Sequence, residues 1–399
     1  MLDIWPELPI YIYDCDFPTK DDRDSTSAAA ALTLNHRVSR IRLGKTSLAA
    51  WELFAPLMHR PFPMLTHLWV SIYPPTTVEI SRSFLGGSAP FLQDLVFSHV
   101  LYPGLPDLLL SATNLVRLWY DNILDSISSR AMVTGLSALT RLESLSLTFR
   151  SPEPLMDRVL PIPLPYMRTL LPSLTYLRLR GVPEFVDDLV AQFDARLLES
   201  MEITLFRREV LEVPELAKFV RRADKLSAVD RAEITVKYEY IAVNLSQELP
   251  AWRVDSKTLR ISLVCGQPGL RLPYLTQFCA SCLPALSPFE HLHILLSTHC
   301  TWSGTEALNP DSQWLEFSRL FDTVKGLHLS QGISSRVAQA LRRLPAGRVT
   351  EVLPALEIVF ISGLESCGLV TEAIYEYAAA RQLSGHPVSI YDWDHDRSV

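Results

Sequence analysis

The chain has 399 residues, 48% of them hydrophobic and 20% charged, which supplies apolar material for a large core and excludes a disordered composition. Its 37 Lys and Arg against 44 Asp and Glu give a formal net charge of -7, and the sequence shows no basic stripe, so we expect no nucleic-acid partner. The N-terminus has no basic n-region and no apolar run approaches about 18 residues, so we expect no membrane partner and a cytoplasmic or nuclear location.

A strand pattern recurs along the chain: apolar, two residues, apolar, one residue, apolar. Its clearest copies are LTHLWV at 65–70, LQDLVF at 92–97, LVRLWY at 115–120, LESLSL at 142–147 and LTYLRL at 174–179. VSRIRL at 38–43 precedes them, and weaker copies lie at 198–203, 232–236, 258–263, 289–294, 324–329, 354–360 and 387–391. The twelve intervals between Ile41 and Ile390 average about 29 residues, near the upper end for leucine-rich repeats.

Between the strands the apolar spacing becomes helical. In 47–60 an N-capping Ser47 precedes one apolar helix face, and similar stretches lie at 129–139, 183–195, 213–226, 312–324 and 371–383. Strands joined by crossovers of roughly 20 residues must lie parallel, because a parallel return needs a covering element.

The expected fold is therefore an α/β, irregular leucine-rich-repeat solenoid, with a parallel concave sheet of about 12–13 strands and helices on the convex side. We expect a single domain over 1–399, with an N-terminal cap at 1–37, repeats at 38–365 and a C-terminal cap at 366–399. The stretch 229–263 is the least regular part, because AEITVKYEYIAVNL could leave the solenoid as a hairpin.

The residues between the apolar positions of each strand should face the concave surface. Exposed Trp, Tyr and Arg there are the residue types that dominate protein interfaces, although any single position is more often an ordinary solvated sheet residue. The predicted protein-binding residues are Trp69, Asp94, Arg117, Trp119, Tyr176, Arg178, Arg180, Glu202, Arg260, His291, His293 and His328.

We expect no catalytic residue, no metal site and no cofactor. Cys279 and Cys282 form a CxxC pair with Cys300 and several histidines nearby in sequence, but the pair lies in an apolar helical run where small cysteines pack well. His291, His293 and His328 could form a pH-responsive patch, but solvated sheet histidines are the simpler interpretation.

Four tracts resemble a large family of F-box and leucine-rich-repeat proteins in mushroom-forming fungi. They are IWPELPIYI at 4–12, SFLGGSAPFLQDL at 83–95, LTRLESLSLTFRSP at 139–152 and the segment from 348 to 394. The resemblance implies a substrate receptor of a cullin ubiquitin ligase, in which the F-box docks a Skp-type adaptor and the repeats hold an unknown target protein.

The chain departs from that plan near its N-terminus. The segment after Leu8-Pro9 reads as strand-like and then acidic, without the amphipathic helices of an F-box. The sequence is therefore either part of a longer F-box protein or a paralogue that has lost the adaptor contact. A stand-alone repeat scaffold without a ubiquitin role is the alternative, and an enzyme is the least favoured class.

Overall fold

A computed structural model describes residues 8–13, 22–73, 75, 78–123, 127–149, 168–206, 213–226, 231–237, 240–246, 258–264, 271–282, 289–296, 310–363 and 368–393. The chain forms two compact units, Met1–Leu198 and Glu199–Val399. Among the described helices, none combines the length and the apolar character needed to cross a membrane.

Unit 1 alternates strands and helices. Its strands are β1 (Ile10–Tyr13), β2 (Val38–Thr46), β3 (His67–Ile72), β4 (Val78–Glu79), β5 (Asp94–Ser98), β6 (Val100–Leu101), β7 (Arg117–Ile123), β8 (Ser144–Phe149), β9 (Thr169–Leu170), β10 (Tyr176–Gly181) and β11 (Phe193–Asp194). Its α-helices are α1 (Asp22–Leu32), α2 (Leu48–Phe54), α3 (Leu105–Ser111), α4 (Ser129–Leu136) and α5 (Pro183–Ala191), and 3₁₀ turns span Leu57–His59 and Phe84–Gly87.

The main sheet of unit 1 is parallel and runs in the order β1-β2-β3-β5-β7-β8-β10. The pairs β4–β6 and β9–β11 form two small parallel ladders beside it. Alternate positions of each long strand are buried, as Leu177 and Leu179 are in β10. The helices bury their own apolar faces, for example Met132 and Leu136 of α4, so the predicted alternation of parallel strands and covering helices is confirmed in this unit.

An aromatic cluster fills the core of unit 1 next to the sheet. Phe84, Phe97, Tyr102 and Tyr120 contact one another edge to face with ring centroids 5.6–6.0 Å apart. The buried Tyr120 hydroxyl donates to the carbonyl of Val100 at 3.0 Å and accepts from the backbone N–H of Tyr102 at 2.8 Å. Burial raises the pKa of both tyrosines to about 12, so the cluster remains neutral and anchors β6 against β7.

The described residues of unit 2 form the strands β12 (Ser200–Phe206), β13 (Arg231–Val236), β14 (Tyr240–Ser246), β15 (Thr258–Val264), β16 (His291–Leu296), β17 (Gly326–Leu329), β18 (Ile358–Ile361) and β19 (Ser389–Asp392). Its α-helices are α6 (Pro214–Arg222), α7 (Arg271–Cys282), α8 (Pro310–Ser318), α9 (Gln331–Arg342) and α10 (Gly368–Leu383). Short 3₁₀ turns span Asp224–Leu226 and Ala346–Arg348. The strand order is β12-β15-β14-β13-β16-β17-β18-β19.

The irregular stretch 229–263 forms a hairpin that stays within the sheet. β13 and β14 pair antiparallel, β14 pairs antiparallel with β15, and β15 returns parallel to β12. The expectation that this hairpin leaves the repeats is therefore wrong. Because β13 and β14 both carry alternating buried residues, each can take a central place in the sheet.

Several helix bounds differ from the sequence expectations. After Leu8-Pro9 a strand-like and then acidic segment was expected, without the amphipathic helices of an F-box, but α1 forms there. The helix includes the alanine run 28–31, and alanine has the highest helix propensity. The helix expected over 47–60 has the predicted Ser47 cap but ends at Phe54, since Pro56 cannot donate the next helical bond. Neither α3 nor α9 was predicted, and β1 and β14 add two strands to the expected thirteen.

A buried arginine fixes the end of unit 2. Arg381 in α10 has no solvent-exposed surface. Its Nη1 donates to the carbonyls of Val349 and Leu353 at 3.4 and 3.2 Å, and its Nη2 donates to those of Pro354 and Leu356 at 3.2 and 3.0 Å. The guanidinium thus holds the loop before β18, which contains the left-handed Leu353 at φ 48°.

We expect Arg381→Leu to lower the free energy of unfolding by about 2–4 kcal/mol, because buried carbonyls would lose their donors. Urea titration followed by circular dichroism measures the change. The control is Arg342→Gln on α9, since Arg342 is half-exposed and forms an ion pair with Glu376 at 2.6 Å; its cost should stay below about 1 kcal/mol. Equal effects of the two substitutions would contradict this assignment.

Candidate functional site

Outward side chains of the unit 1 sheet are aligned in three rows, because its parallel strands pair in register. The first row is Tyr11, Arg40, His67, Asp94, Arg117, Ser144 and Tyr176. The second row is Tyr13, Arg42, Trp69, Val96, Trp119, Ser146 and Arg178. The third includes Ser71, Ser98, Asp121, Thr148 and Arg180.

Two half-exposed tryptophans define the second row. Trp69 is 39% exposed and Trp119 is 40% exposed, and Val96 lies between them. The guanidinium of Arg42 lies 4.4 Å from the ring centroid of Trp69, and that of Arg178 lies 5.6 Å from that of Trp119. Each contact contributes roughly 0.5–1 kcal/mol at an exposed site, so both rings are contacted by a cation on the side away from Val96.

Asp94 organises the first row. Its carboxylate is 15% exposed, lies 2.9 Å from Nε2 of His67 and accepts a hydrogen bond from Nε of Arg117. That bond raises the pKa of Arg117. The pKa of His67 is below its usual value because burial, Arg40 and Arg117 together outweigh the attraction of Asp94. The Asp94 carboxylate is therefore engaged on both sides by its own sheet.

Asp121 has the same role in the third row. It accepts hydrogen bonds from Nε1 of Trp119 at 2.8 Å, from Oγ1 of Thr148 at 2.8 Å and from Oγ of Ser98 at 3.3 Å. The bond from the indole fixes the orientation of the Trp119 ring. Both carboxylates of this face are therefore occupied by neighbouring donors.

A groove of about 560 Å³ lies over these rows. Its walls are mainly apolar and aromatic, with charged groups at the sides. Its lining residues are Tyr13, Arg40, Ile41, Arg42, His67, Leu68, Trp69, Asp94, Val96, Ser98, Arg117, Leu118, Trp119, Asp121 and Ser144. We name this surface the Trp–Arg face.

The predicted binding residues are divided between the two units. Trp69, Asp94, Arg117, Trp119, Tyr176, Arg178 and Arg180 lie in the three rows of unit 1, and Glu202, Arg260, His291, His293 and His328 lie in unit 2. Sequence reasoning did not select Arg40, Arg42 or Asp121. The first two alternate with Ile41 in VSRIRL, so the same strand pattern could have found them.

In unit 2 the in-register pairs place a different set of residues in one row. That row is Glu202, Arg260, Asn244, Glu233, His293, His328, Phe360 and Tyr391. The strand expected within 354–360 begins only at Ile358, and its residue in this row is Phe360.

The histidines of unit 2 form a closed aromatic stack. The ring centroids of His293 and His328 are 3.9 Å apart with planes at 6°, and His328 stacks on Phe360 at 4.3 Å. Trp393 contacts both histidines edge-on, at 5.6 and 5.1 Å. We name the four residues the histidine stack. His291 adjoins it, and a Cβ at Gly326 would come within 2.6 Å of its Nδ1, so a larger residue there would require the His291 ring to shift.

This stack corrects the interpretation of His293 and His328 as solvated, while His291 remains partly exposed beside them. His293 is only 8% exposed. The two ring nitrogens of His328 are buried, and neither has a hydrogen-bond partner among the described residues. Burial, with smaller contributions from His291 and Arg231, lowers the pKa of His328 to about 4. Within the described part of the chain, no group of three His, Cys, Asp or Glu side chains could hold a metal ion. Cys279 is buried in α7, while Cys300 lies outside the described residues.

Comparison with known proteins adds little to this geometry. No protein-family model and no curated protein matches the chain. Among solved structures, the leucine-rich repeat-containing protein LegL7 from Legionella pneumophila matches with 12% identity over 82% of this chain and 94% of that one. The TM-score is 0.28, too low to bear on function.

The histidine stack should make unit 2 sensitive to acid. The pKa of His328 is about 4 when folded and near 6.5 when unfolded, so its stabilising contribution is complete above pH 6.5 and is lost as the pH falls towards 4. Because the ring is partly open to solvent, we expect a loss on the order of 1 kcal/mol between pH 7 and pH 5. Urea unfolding at both pH values measures it.

His328→Phe should remove this part of the pH dependence, since phenylalanine keeps the stacking but does not titrate. His386→Gln, at an exposed position after α10, serves as the matched control and should behave like the wild type. An unchanged pH dependence in His328→Phe would show that the stack does not titrate as described.

Proposed function

We propose that this chain is a protein-interaction module that binds its target on the Trp–Arg face of unit 1. The observation that supports this most strongly is the pair of half-exposed tryptophans beside Val96, each with a guanidinium over its ring. Tryptophan and arginine are among the residues most enriched in binding hot spots, because tryptophan buries a large area with few rotatable bonds and arginine presents a planar guanidinium with fixed hydrogen-bond geometry.

The rigidity of the face supports the same function. The indole of Trp119 is fixed by Asp121, and the guanidinium of Arg117 is fixed by Asp94. A surface whose large side chains are held before binding loses less conformational entropy when a partner arrives. The groove also has the concave form that peptide segments occupy. Other predicted residues of unit 1, such as Tyr176 and Arg180, would form the rim of the interface.

A narrower role as the substrate receptor of a cullin ubiquitin ligase is supported by the sequence resemblance of four tracts, and we propose it as the cellular setting of this binding. It requires a Skp-type adaptor as second partner, and a cytoplasmic or nuclear location. Purification of the full-length product from its own cells, scored for adaptor and cullin peptides, tests this setting. If a target co-purifies without adaptor or cullin peptides, the chain would function as a stand-alone scaffold.

We expect Trp69→Ala combined with Trp119→Ala to reduce capture of the target at least about tenfold, because both rings lose their contact area. Quantitative affinity purification against the wild-type chain measures the loss. The control combines Leu53→Ala and Leu110→Ala, which removes exposed apolar side chains from α2 and α3 instead. Equal loss in both variants, or in neither, would refute the Trp–Arg face as the binding surface.

A further inference from the structure

Two cations of the Trp–Arg face have no acidic partner among the described residues. Arg40 lies with its guanidinium 5.4 Å from the ring centroid of Tyr11, and Arg42 lies over Trp69. No described carboxylate forms an ion pair with either. Both side chains project from β2 towards the groove, two residues apart on the same face.

The carboxylates of the groove cannot neutralise these arginines. Asp94 is occupied by His67 and Arg117, and Asp121 by Trp119, Thr148 and Ser98. Counting only the residues that the structure describes, the groove therefore has an excess of positive charge on the β2 side, within a chain whose formal net charge is -7. A local excess of the opposite sign to the whole molecule attracts anionic ligands to that place and to few others.

The apolar part of the groove lies beside this charge. Trp69 and Trp119 stand on strands β3 and β7, which are two strand spacings apart, or about 10 Å, with Val96 of β5 between them. That gap accommodates one large apolar side chain. Arg42 stands one further strand spacing away on β2, so its Cα lies about 10 Å from that of Val96, and its guanidinium reaches over the Trp69 ring.

From these contacts we infer the chemistry of the partner: an extended acidic peptide segment that seats one large apolar side chain between Trp69 and Trp119 and pairs its carboxylates with Arg40 and Arg42. At about 3.3 Å per residue, the carboxylates fall roughly three residues from the apolar side chain. This inference rests on the proposed function and specifies its ligand.

The number and type of cationic side chains in the groove favour a peptide with carboxylates as the ligand over a nucleic acid with its phosphate backbone. A guanidinium binds a carboxylate through two parallel hydrogen bonds. Two cations at one end of a mainly apolar groove match a short acidic motif, whereas a nucleic acid requires cations along its whole path. Beyond β2, Arg117 is already paired with Asp94, and Arg178 and Arg180 do not line the groove.

Fluorescence anisotropy with short labelled peptides tests this inference on the full chain. The first peptide has nine residues that alternate glutamate and serine around a central tryptophan. The second has glutamine in place of each glutamate, and the third has alanine in place of the tryptophan. We expect the first to bind at least about tenfold more tightly than either of the others, and its affinity to fall as salt rises.

Arg40→Gln combined with Arg42→Gln should abolish the preference for the glutamate peptide over the glutamine peptide. The matched control combines Arg82→Gln and Arg130→Gln, which removes the same charge from exposed positions elsewhere in unit 1 and should keep the preference. Circular dichroism and thermal melting of both variants establish that they are folded.

Several outcomes would overturn the inference. These are equal affinity for the glutamate and glutamine peptides, no binding of any peptide, or tighter binding of a labelled nine-nucleotide oligothymidine. If the tryptophan variants lose target capture while the Arg40 and Arg42 variant keeps it, the proposed function stands and the acidic partner is wrong. If neither variant loses capture, the proposed function itself is wrong.

Discussion

In-register pairing of parallel strands is the constraint on which the rest of the structure depends. Because side chains alternate between the two faces of each strand, a shift of one residue would exchange buried leucines for outward arginines and tryptophans. In unit 1 the pairing keeps Arg42, Trp69, Val96, Trp119 and Ser146 in one row across five strands. The cation–π contacts and the groove both follow from that alignment.

The same constraint produces rows of different character in the two units. In unit 1 the small Val96 and Ser146 separate the large side chains of the second row, which leaves both tryptophan rings half-exposed with arginines at their sides. In unit 2 the successive rings of His293, His328 and Phe360 stack directly on one another, which buries His293. The exposed row of unit 1 is the surface that we propose for binding, whereas the stacked row of unit 2 packs against itself and should make the stability of its sheet depend on pH.

The strand pattern predicted most of this architecture. Leu174, Leu177 and Leu179 are buried as the pattern of LTYLRL requires, and Ser47 caps α2 as expected. The register of β18 and the place of β14 within the sheet could not be predicted, since both depend on which strands meet rather than on local periodicity. The pairing of Asp94 and Asp121 with their neighbours could not be predicted from the strand pattern either. That pairing decides where the groove is positive.

The most direct test of the account is a cross-strand disulfide that reports the register of the Trp–Arg face. Ser71 pairs with Ser98 in the third row, so their Cα atoms lie at about 4.8 Å, within the range that a disulfide spans. We predict that Ser71→Cys with Ser98→Cys forms a disulfide under mild oxidation, identified by peptide mass. Ser71→Cys with Val96→Cys, offset by two residues, should not. Preferential bridging of the offset pair would contradict the register and with it the Trp–Arg face.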